Sequence, residues 1–362
     1  MQPRPRAISA FKQFAAAWGL AAAVGNAAAV PGAAADAGPS SIPASDCTRA
    51  ASPACLQSFE PTASGGALRY YASLSPTIDA GSGPAHALVA LHGHPRDANK
   101  TFAATLHAAQ GGGALAHTLV VAPVFQVGIE RAARCSTQGV PAAQPGELLW
   151  TCSSWIEGGR ASNGSRPTSF AAMDALVAEL ARQWPSLRTI TVAGFSAGGQ
   201  FVQHYIGFAA DRPANSVLLR YVVADPGSWL YFDHVLAVPA NAAACPALKR
   251  WKYGTDDLPA SLGRSAAQAR ARYAAANVHY LAGELDSSDA KGTAYGALDK
   301  SCAAQAQGPF RLQRGLAYAA YDRRLLAPGK QRELTVVPGC AHDVACVFPS
   351  PAARAALLGT LR

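Results

Sequence analysis

The chain has 362 residues, of which 50% are hydrophobic and 15% are charged, and its formal net charge is +9 at pH 7. So much apolar sequence suits one large α/β domain better than two small ones. The basic surplus is modest and contains no long run of Lys or Arg, which argues against nucleic acid as a partner.

The first 35 residues have the layout of a secretory signal peptide. Three basic residues precede an apolar stretch from about residue 14 to residue 30, and a small-residue run that ends at Ala35 follows it. An uncleaved membrane anchor is the alternative, but the stretch is rich in alanine and is interrupted by Gly25. We therefore expect cleavage near Ala35 or Ala37, a secreted or periplasmic location, and no stable membrane insertion.

The cysteines also indicate an oxidising destination, because their number, eight, is even. No Cys-x-x-Cys pair occurs, so neither a zinc site nor a redox motif is expected. Eight cysteines allow 105 pairings, and the sequence leaves the choice open. Closeness along the chain favours Cys47 with Cys55, Cys135 with Cys152 and Cys340 with Cys346, which leaves Cys245 for Cys302.

Residues 36–66 are rich in Ala, Ser, Pro and Gly and are predicted to be an irregular segment held by a loop between the first two cysteines. After it, short apolar runs alternate with helical patterns, which predicts an α/β fold with a mostly parallel central sheet and helices on both faces. Two longer connecting segments, 127–168 and 231–262, interrupt this alternation of strands and helices. The predicted strands are 68–74, 86–92, 117–122, 189–193, 220–224, 278–281 and 333–337. The predicted helices are 101–108, 169–183, 197–208, 265–275 and 308–321.

Residues 189–199 form the most informative pattern in the chain, a β-branched strand that stops at Ser196. Gly194 and Gly198 lie two positions before and two positions after this serine, as a crowded strand-to-helix turn requires. The helix that follows directs its N-terminal N–H groups and the positive end of its dipole toward the turn. This setting predicts that Ser196 is an exposed nucleophile, and the alternative is an ordinary Gly-rich turn.

Active sites of open parallel sheets form beyond the C-terminal ends of the strands. Gly93 follows the predicted strand 86–92 and lets the backbone bend, so that the next N–H points into the site. The N–H groups of His94 and Ala197 would then form a two-donor oxyanion hole, in which each donor is worth roughly 3 kcal/mol. The alternative is a plain strand-end turn with two surface histidines.

An acidic cluster follows the predicted strand 278–281. A carboxylate at this place can orient a histidine and stabilise its imidazolium form. Asp286 is the favoured residue, with Glu284 and Asp289 as close competitors on the same loop and Asp225 as a more distant one. The choice between Asp286 and either Asp225 or Asp289 stays open.

His342 stands out among nine histidines because it follows the last predicted strand, behind Pro338 and Gly339. A histidine at this place can reach the serine as a general base and then protonate the leaving group. A disulfide between Cys340 and Cys346 would hold the loop that carries it and lower the entropic cost of placing the base.

The chain order Ser196, Asp286, His342 resembles that of the catalytic triads of the α/β-hydrolase superfamily. The resemblance runs from about residue 68 to the C-terminus and also rests on His92-Gly93 and on the Gly-Phe-Ser-Ala-Gly-Gly elbow. This elbow is similar to those of secreted esterases related to polyhydroxybutyrate depolymerases and feruloyl esterases. The resemblance implies an α/β-hydrolase catalytic domain over residues 67–362, an eight-stranded sheet, and ester hydrolysis without a cofactor or a metal.

Aromatic side chains are candidate pocket walls for an apolar acyl or aromatic group, although they fit core packing equally well. Arg311 and Arg314 are expected to be surface charges of a helix rather than a site for a substrate carboxylate. The expected partner is a small-molecule or polymeric ester. The substrate-binding candidates are Phe195, Trp155 and Trp229, and then Trp150, Tyr231 and Phe232.

The sequence leaves two other functions open. A secreted serine peptidase or amidase would share the triad and differ only in the leaving group. A non-catalytic binding protein that retains the fold would carry an unactivated serine. The oligomeric state is not indicated by any pattern in the chain.

Overall fold

The computed structural model describes residues 47–63, 65–76, 83–211, 217–233 and 245–359. All of them belong to one folded unit, residues 45–362. The predicted signal peptide lies outside the described residues. Within the described ranges, no helix is both long enough and apolar enough to cross a bilayer.

Short runs rich in Val, Leu and Ala form the strands, since side chains of this kind pack well on a pleated, buried surface. Eight strands make one sheet and two short ones make a small second sheet. The strands are β1 (Leu56–Phe59), β2 (Leu68–Ala72), β3 (His86–Leu91), β4 (Thr118–Val124), β5 (Gln126–Val127), β6 (Leu149–Trp150), β7 (Thr189–Phe195), β8 (Leu218–Ala224), β9 (Val278–Gly283) and β10 (Leu334–Val337).

The helices follow the strands as the crossover connections of a parallel sheet require. Local signals start several of them: Thr168 accepts the N–H of Ala171 at the start of one, and Ser265 with Gln268 forms a capping box at another. The helices are α1 (Ala98–Gly111), α2 (Ile129–Ala132), α3 (Ser169–Gln183), α4 (Ala197–Phe208), α5 (Ala266–Ala275), α6 (Cys302–Gln305), α7 (Arg311–Tyr321), α8 (Val344–Val347) and α9 (Pro351–Leu358).

The large sheet has the strand order β1-β2-β4-β3-β7-β8-β9-β10, and β5 pairs with β6 in the small sheet. From β4 to β10 every neighbouring pair is parallel, whereas β1 and β2 are antiparallel to their neighbours. The register aligns Phe195 with Ala224 and Ala224 with Leu281. The residues that follow β3, β7, β8, β9 and β10 therefore meet at one edge of the sheet.

Both faces of the sheet are buried, as the nearly continuous apolar strands require. On β3, Val89 and Leu91 belong to a core cluster that contains side chains of α3 and α4. The alternate residues Leu88 and Ala90 belong to a second cluster with side chains of α1 and α9. These observations confirm the predicted fold class, a mostly parallel sheet with helices on both faces.

The seven predicted strands and five predicted helices are all present, with boundaries that differ by at most three residues. One prediction was wrong, because the described part of the segment 36–66 is not wholly irregular. Residues Leu56–Phe59 form the edge strand β1, which pairs with β2. The short elements β5, β6, α2, α6, α8 and α9 were not predicted either. A four-residue edge strand carries too little pattern to stand out before its pairing partner is known.

All four proposed disulfides are confirmed. The bonds join Cys47 to Cys55, Cys135 to Cys152, Cys245 to Cys302 and Cys340 to Cys346, and no described cysteine is free.

Candidate active site

Ser196 lies on the sharp turn between β7 and α4. Its backbone has φ 59° and ψ −120°, a conformation that non-glycine residues rarely adopt. The Ser196 N–H donates to the carbonyl of Ala224 at 2.9 Å, which ties the turn to the end of the neighbouring strand. Strained backbone of this kind persists only where the surrounding structure holds it, and it is concentrated at functional sites.

The glycines around Ser196 are required by close backbone approach. A Cβ on Gly194 would lie 2.1 Å from the carbonyl oxygen of Gly198, and one on Gly198 would lie 2.4 Å from that of Leu91. A Cβ on Gly199 would lie 2.3 Å from the carbonyl oxygen of Ala224. All three distances are below any real Cβ contact, so only glycine allows this turn to pack against β3 and β8.

His342 lies between Ser196 and Asp286 and is hydrogen-bonded to both. Its Nε2 atom is 2.8 Å from the Ser196 hydroxyl oxygen, and its Nδ1 atom is 2.6 Å from Oδ2 of Asp286. An ionised carboxylate only accepts hydrogen bonds, so Nδ1 carries the proton and Nε2 is free to accept one from the hydroxyl. The three side chains come from the ends of β7, β9 and β10, up to 146 residues apart in the chain.

The other candidate acids occupy different places. Glu284 accepts the backbone N–H of Gly339 at 2.8 Å and is exposed, and Asp289 is exposed as well. Asp225 is fully buried, and one of its carboxyl oxygens lies within 4.8 Å of one of Asp286. Of the four candidates, Asp286 is the one that is hydrogen-bonded to His342.

Arg311, in the first turn of α7, is buried beside the acid. Its Nη1 atom donates to Oδ1 of Asp286 at 3.2 Å and to the carbonyl of Thr293 at 2.8 Å. Burial lowers the pKa of His342 below its ordinary value of 6.5, and the charge of Arg311 lowers it as well, while the hydrogen bond to Asp286 acts in the opposite direction. The imidazole is therefore neutral at pH 7 and able to act as a base.

The loop after β10 is held at several points. The disulfide between Cys340 and Cys346 closes a small ring around His342. The His342 N–H donates to the carbonyl of Gly292 at 3.1 Å. A Cβ on Gly283 would lie 2.6 Å from the Cys340 carbonyl oxygen, so the end of β9 packs directly against the loop.

The turn after β3 lies against the nucleophile. The Gly93 N–H donates to Asp97 at 2.9 Å, and the Gly93 carbonyl accepts the Arg96 N–H at 3.1 Å. Beneath the turn, His92 is fully buried between the Gly93 carbonyl and the N–H of Phe125, and burial lowers its pKa to about 4. The neutral ring therefore supports the turn that presents His94.

Ser196 and His342 open into a cleft of about 650 Å³. His94, Ala197 and Phe195 line it as well, and the Phe195 ring lies 4.8 Å from the His342 ring. Its wall is partly apolar and partly charged. The further lining side chains include Pro95, Lys100, Ile156, Glu157, Gln200, Lys252, Tyr253, Asp299, Arg311 and Val344.

No protein-family model and no curated protein matches the sequence. Solved structures do match. Poly(aspartic acid) hydrolase-1 from Sphingomonas sp. KT-1 has a TM-score of 0.57 and 19% identity, over 83% of this chain and 98% of that chain. LpqC, a poly(3-hydroxybutyrate) depolymerase from Bordetella parapertussis, has a TM-score of 0.52 and 18% identity, over 80% of this chain and 86% of that chain. The chain has the α/β-hydrolase fold.

Two residues predicted to bind substrate lie in the core of this α/β-hydrolase fold instead. Trp155 is fully buried, stacked on Phe125 at 5.3 Å between ring centroids, and Trp229 is fully buried, stacked on Tyr318 at 4.4 Å. Neither lines the cleft. The prediction is corrected for both, because large aromatic rings bury most area between helix and sheet. Trp150, Tyr231 and Phe232 are buried in the same core.

The two arginines of α7 are also not surface charges. Arg311 contacts Asp286, as described above, and Arg314 is fully buried. The Arg314 guanidinium donates to the backbone carbonyls of Gly308, Gly227 and Asp299. This arginine therefore ties the start of α7 to two loops of the cleft wall.

Several cleft residues were not predicted from the sequence. Gln200 is one turn of α4 beyond the nucleophile and lines the cleft, as the helical period places it. Lys252 lies 3.2 Å from Glu157 and 3.4 Å from Asp299. The ion pair with Glu157 joins segment 231–262 to segment 127–168 at the cleft wall. Ile156 is the apolar residue next to the tryptophan that was predicted. Only the Gln200 position has a local sequence signal.

Asp225, Asp286 and His342 are residue types that bind metal ions, and their ligand atoms lie within 4.8 Å of one another. The hydrogen bond between His342 and Asp286 leaves only 2.6 Å between its two heavy atoms. Two ligands that each lie about 2.1 Å from a tetrahedral zinc ion are about 3.4 Å apart. A zinc ion would have to break this bond, so the arrangement favours a proton between the two side chains.

Proposed function

We propose that this protein is an exported serine hydrolase that cleaves carboxylic esters through an acyl-enzyme. The observation that carries the proposal is the continuous hydrogen-bonded chain from the Ser196 hydroxyl through His342 to Asp286, which opens into a cleft. Ser196 is the nucleophile, His342 is the general base and acid, and Asp286 orients the imidazole and stabilises its charged form.

In the first half of the reaction, the Ser196 oxygen attacks the ester carbonyl carbon while His342 Nε2 takes the hydroxyl proton. The tetrahedral intermediate collapses, the C–O bond to the leaving alcohol breaks, and His342 returns the proton to that alcohol. In the second half, His342 takes a proton from water, which attacks the acyl-serine. When the second intermediate collapses, the bond to the Ser196 oxygen breaks, His342 returns the proton to that oxygen, and the carboxylic acid is released.

The oxyanion of both intermediates needs preorganised donors. The backbone N–H of Ala197 lies at the N-terminus of α4, and the N–H of His94 follows the turn at Gly93 that lies against Ser196. Both residues line the same cleft as the nucleophile. We assign these two N–H groups to the oxyanion hole, where each typically contributes about 3 kcal/mol to transition-state stabilisation.

The substrate class is the finer part of the proposal. The Ser-Ala-Gly-Gly elbow, which resembles that of secreted esterases, favours an ester. One structural neighbour is named for a polyester and the other for poly(aspartic acid), a polyamide, so amide hydrolysis is the second candidate. Four disulfides support export, because such bonds persist in oxidising compartments.

The experiment that tests the nucleophile is labelling with a fluorophosphonate probe together with hydrolysis of p-nitrophenyl esters of increasing acyl length. We expect the protein to label and to turn over at least one ester, and Ser196→Ala to lose labelling and about 10⁴-fold or more of kcat/KM. Ser153→Ala, which removes another hydroxyl that lines the cleft, is the matched control and should keep both.

An unlabelled wild-type protein with no ester turnover would support a binding protein that retains the fold. Matched ester and amide substrates with the same acyl group separate the two hydrolase candidates. A kcat/KM for the amide that equals or exceeds that for the ester would replace the esterase proposal by an amidase.

A further inference from the structure

Asp225 is a buried acid at the centre of the site to which the proposed reaction assigns no role. It follows β8, and its N–H donates to the carbonyl of Leu281 at 3.1 Å. Its two carboxyl oxygens lie 3.1 and 3.2 Å from the backbone nitrogen of Gly283. The side chain is fully buried, and one of its carboxyl oxygens lies within 4.8 Å of one of Asp286.

The backbone of Asp225 is held in an uncommon conformation, with φ 46°. Aspartate adopts positive φ more readily than most residues, but the conformation still needs support from its surroundings. The preceding carbonyl, that of Ala224, accepts the Ser196 N–H, so the same strand end supports the nucleophile turn. Asp225 is thus built into the frame of the site rather than left on a flexible loop.

The charges around Asp225 determine its protonation. Its acidic neighbour is Asp286, and the guanidinium of Arg311 donates a hydrogen bond to Asp286. His342 is neutral in the resting enzyme, and Asp97 is the further carboxylate that faces the imidazole. Two ionised carboxylates this close together would leave an uncompensated buried charge, which is costly. Burial and the neighbouring Asp286 therefore raise the pKa of Asp225 well above its ordinary value of 3.8.

We propose that Asp225 is a positioning residue whose carboxyl group keeps its proton and donates a hydrogen bond to the carboxylate of Asp286. This inference rests on the proposed hydrolase function. Asp286 is then held by three donors, namely Asp225, Arg311 and the imidazole N–H of His342. With its lone pairs directed in this way, Asp286 keeps the imidazole in the orientation that serves Ser196.

Asparagine at position 225 reproduces the protonated acid. Its amide oxygen can accept the Gly283 N–H, and its amide nitrogen can donate to Asp286, in a side chain of the same shape. Alanine removes both contacts. The two substitutions therefore separate the hydrogen bond from the ionisable group. Asp289→Asn removes an exposed carboxylate on the loop after β9 and is the matched control.

The first measurement is the thermal midpoint of unfolding, Tm, between pH 4 and pH 9. The unfolded chain releases the Asp225 proton near pH 3.8, whereas the folded wild-type protein retains it, so the contribution of Asp225 to wild-type stability falls as the pH rises above that value. Asp225→Asn lacks this loss. The Tm of the variant minus that of the wild type should increase with pH, by about 2 °C per unit, and Asp289→Asn should show no such trend. A difference that is constant or decreases with pH would overturn the proposal.

The second measurement is the pH profile of kcat/KM for the best p-nitrophenyl ester. We expect Asp225→Asn to stay within about threefold of the wild type at pH 7 and Asp225→Ala to lose at least about tenfold. In the alanine variant the acid limb should move to higher pH, because the Asp286 carboxylate without the Asp225 donor attracts the imidazolium form of His342 more strongly and raises the pKa of His342. Loss of activity in Asp225→Asn as large as in Asp286→Asn would also overturn the proposal.

The two failures are distinguishable. If the wild type neither labels nor hydrolyses esters, the hydrolase function fails, and the Tm measurement still reports whether Asp225 keeps its proton. If Asp225→Ala does not fold, the asparagine variant and the control decide the proposal by themselves.

Discussion

At the residue scale, the protonation state of His342 determines the pH range in which the proposed site is active. The imidazole is largely buried, and both burial and the charge of Arg311 favour its neutral form over the imidazolium. Only the neutral form can take the proton of Ser196. The free enzyme therefore loses its base when the pH falls through the lowered pKa, not through the ordinary one.

We expect kcat/KM to fall on the acid side with a midpoint below pH 6.5, since this profile reports the pKa of the base in the free enzyme. The measurement is the initial rate with a p-nitrophenyl ester from pH 4 to pH 8. His94→Gln is the control, because the role proposed for this residue uses its backbone N–H and not its ring. If the acid limb disappears in His94→Gln, the titrating group is His94 and not His342, and the prediction is wrong.

At the element scale, the loop after β10 carries the base and is closed by a disulfide. Cys340 and Cys346 are separated by six positions, and the ring they close contains His342. A second small ring, between Cys47 and Cys55 with a separation of eight, precedes the edge strand β1 and does not line the cleft. The two disulfide rings are nearly equal in size, but only the ring between Cys340 and Cys346 contains a residue of the proposed triad.

Replacement of Cys340 and Cys346 by serine should lower kcat about tenfold or more, because the freed loop must be ordered again in the transition state. The same change at Cys47 and Cys55 should leave kcat within about twofold. In the chain-entropy model each replacement costs about 2–3 kcal/mol of stability, so unfolding curves of the two variants should be similar. Equal effects on kcat would show that the ring does not position His342.

At the scale of the whole molecule, a buried ion pair connects the segment before β10 to the segment that follows α7. Arg332, just before β10, contacts the fully buried Asp322 at 3.2 Å, beyond the end of α7. It also donates to the carbonyls of Tyr273, Ala274 and Ala276, at the end of α5. One side chain therefore joins three segments, and none of these residues lines the cleft.

Arg332→Met should lower the free energy of unfolding by about 3–5 kcal/mol, because it leaves the Asp322 carboxylate buried without its cation. Arg323→Met is the control: its ion pair with Glu333 spans 3.6 Å between exposed side chains and should contribute less than about 1 kcal/mol. Denaturant unfolding measures both. The kcat/KM of folded Arg332→Met should equal that of the wild type, and a large loss would mean that this ion pair shapes the active site.

Much of the fold could be predicted because its signals are local. The β-branched run before Ser196, the glycines on each side of it and the helical period after it all lie within about twenty residues, and the structure has β7 and α4 there. Closeness along the chain favoured three of the four disulfides and left two cysteines for the fourth, although the sequence alone did not exclude other pairings. The edge strand β1 was missed, since four residues become a strand only by pairing with β2.

The site residues could be predicted only where the C-terminal end of a strand could be predicted from the sequence. Placing a residue after a parallel strand puts it at the correct edge of the sheet, which is why Ser196, Asp286 and His342 were all named in advance. The closeness of Asp225 and Asp286, and the burial of Arg311, depend on the spacing of strands and on a helix far away in the chain. No pattern within the chain expresses such distances.

The sequence by itself determined the order of the seven predicted strands and five predicted helices, the elbow, and the candidate nucleophile and base, because these depend on backbone preferences and on periodicities of two and 3.6 residues. It favoured Asp286 as the acid but left Asp225 and Asp289 open. Only the tertiary structure decided that Trp155 and Trp229 are core residues while Ile156 and Gln200 line the cleft. An aromatic ring has the same local preferences in a core and in a pocket. Which of the two it enters depends on what the neighbouring layers leave open when they pack.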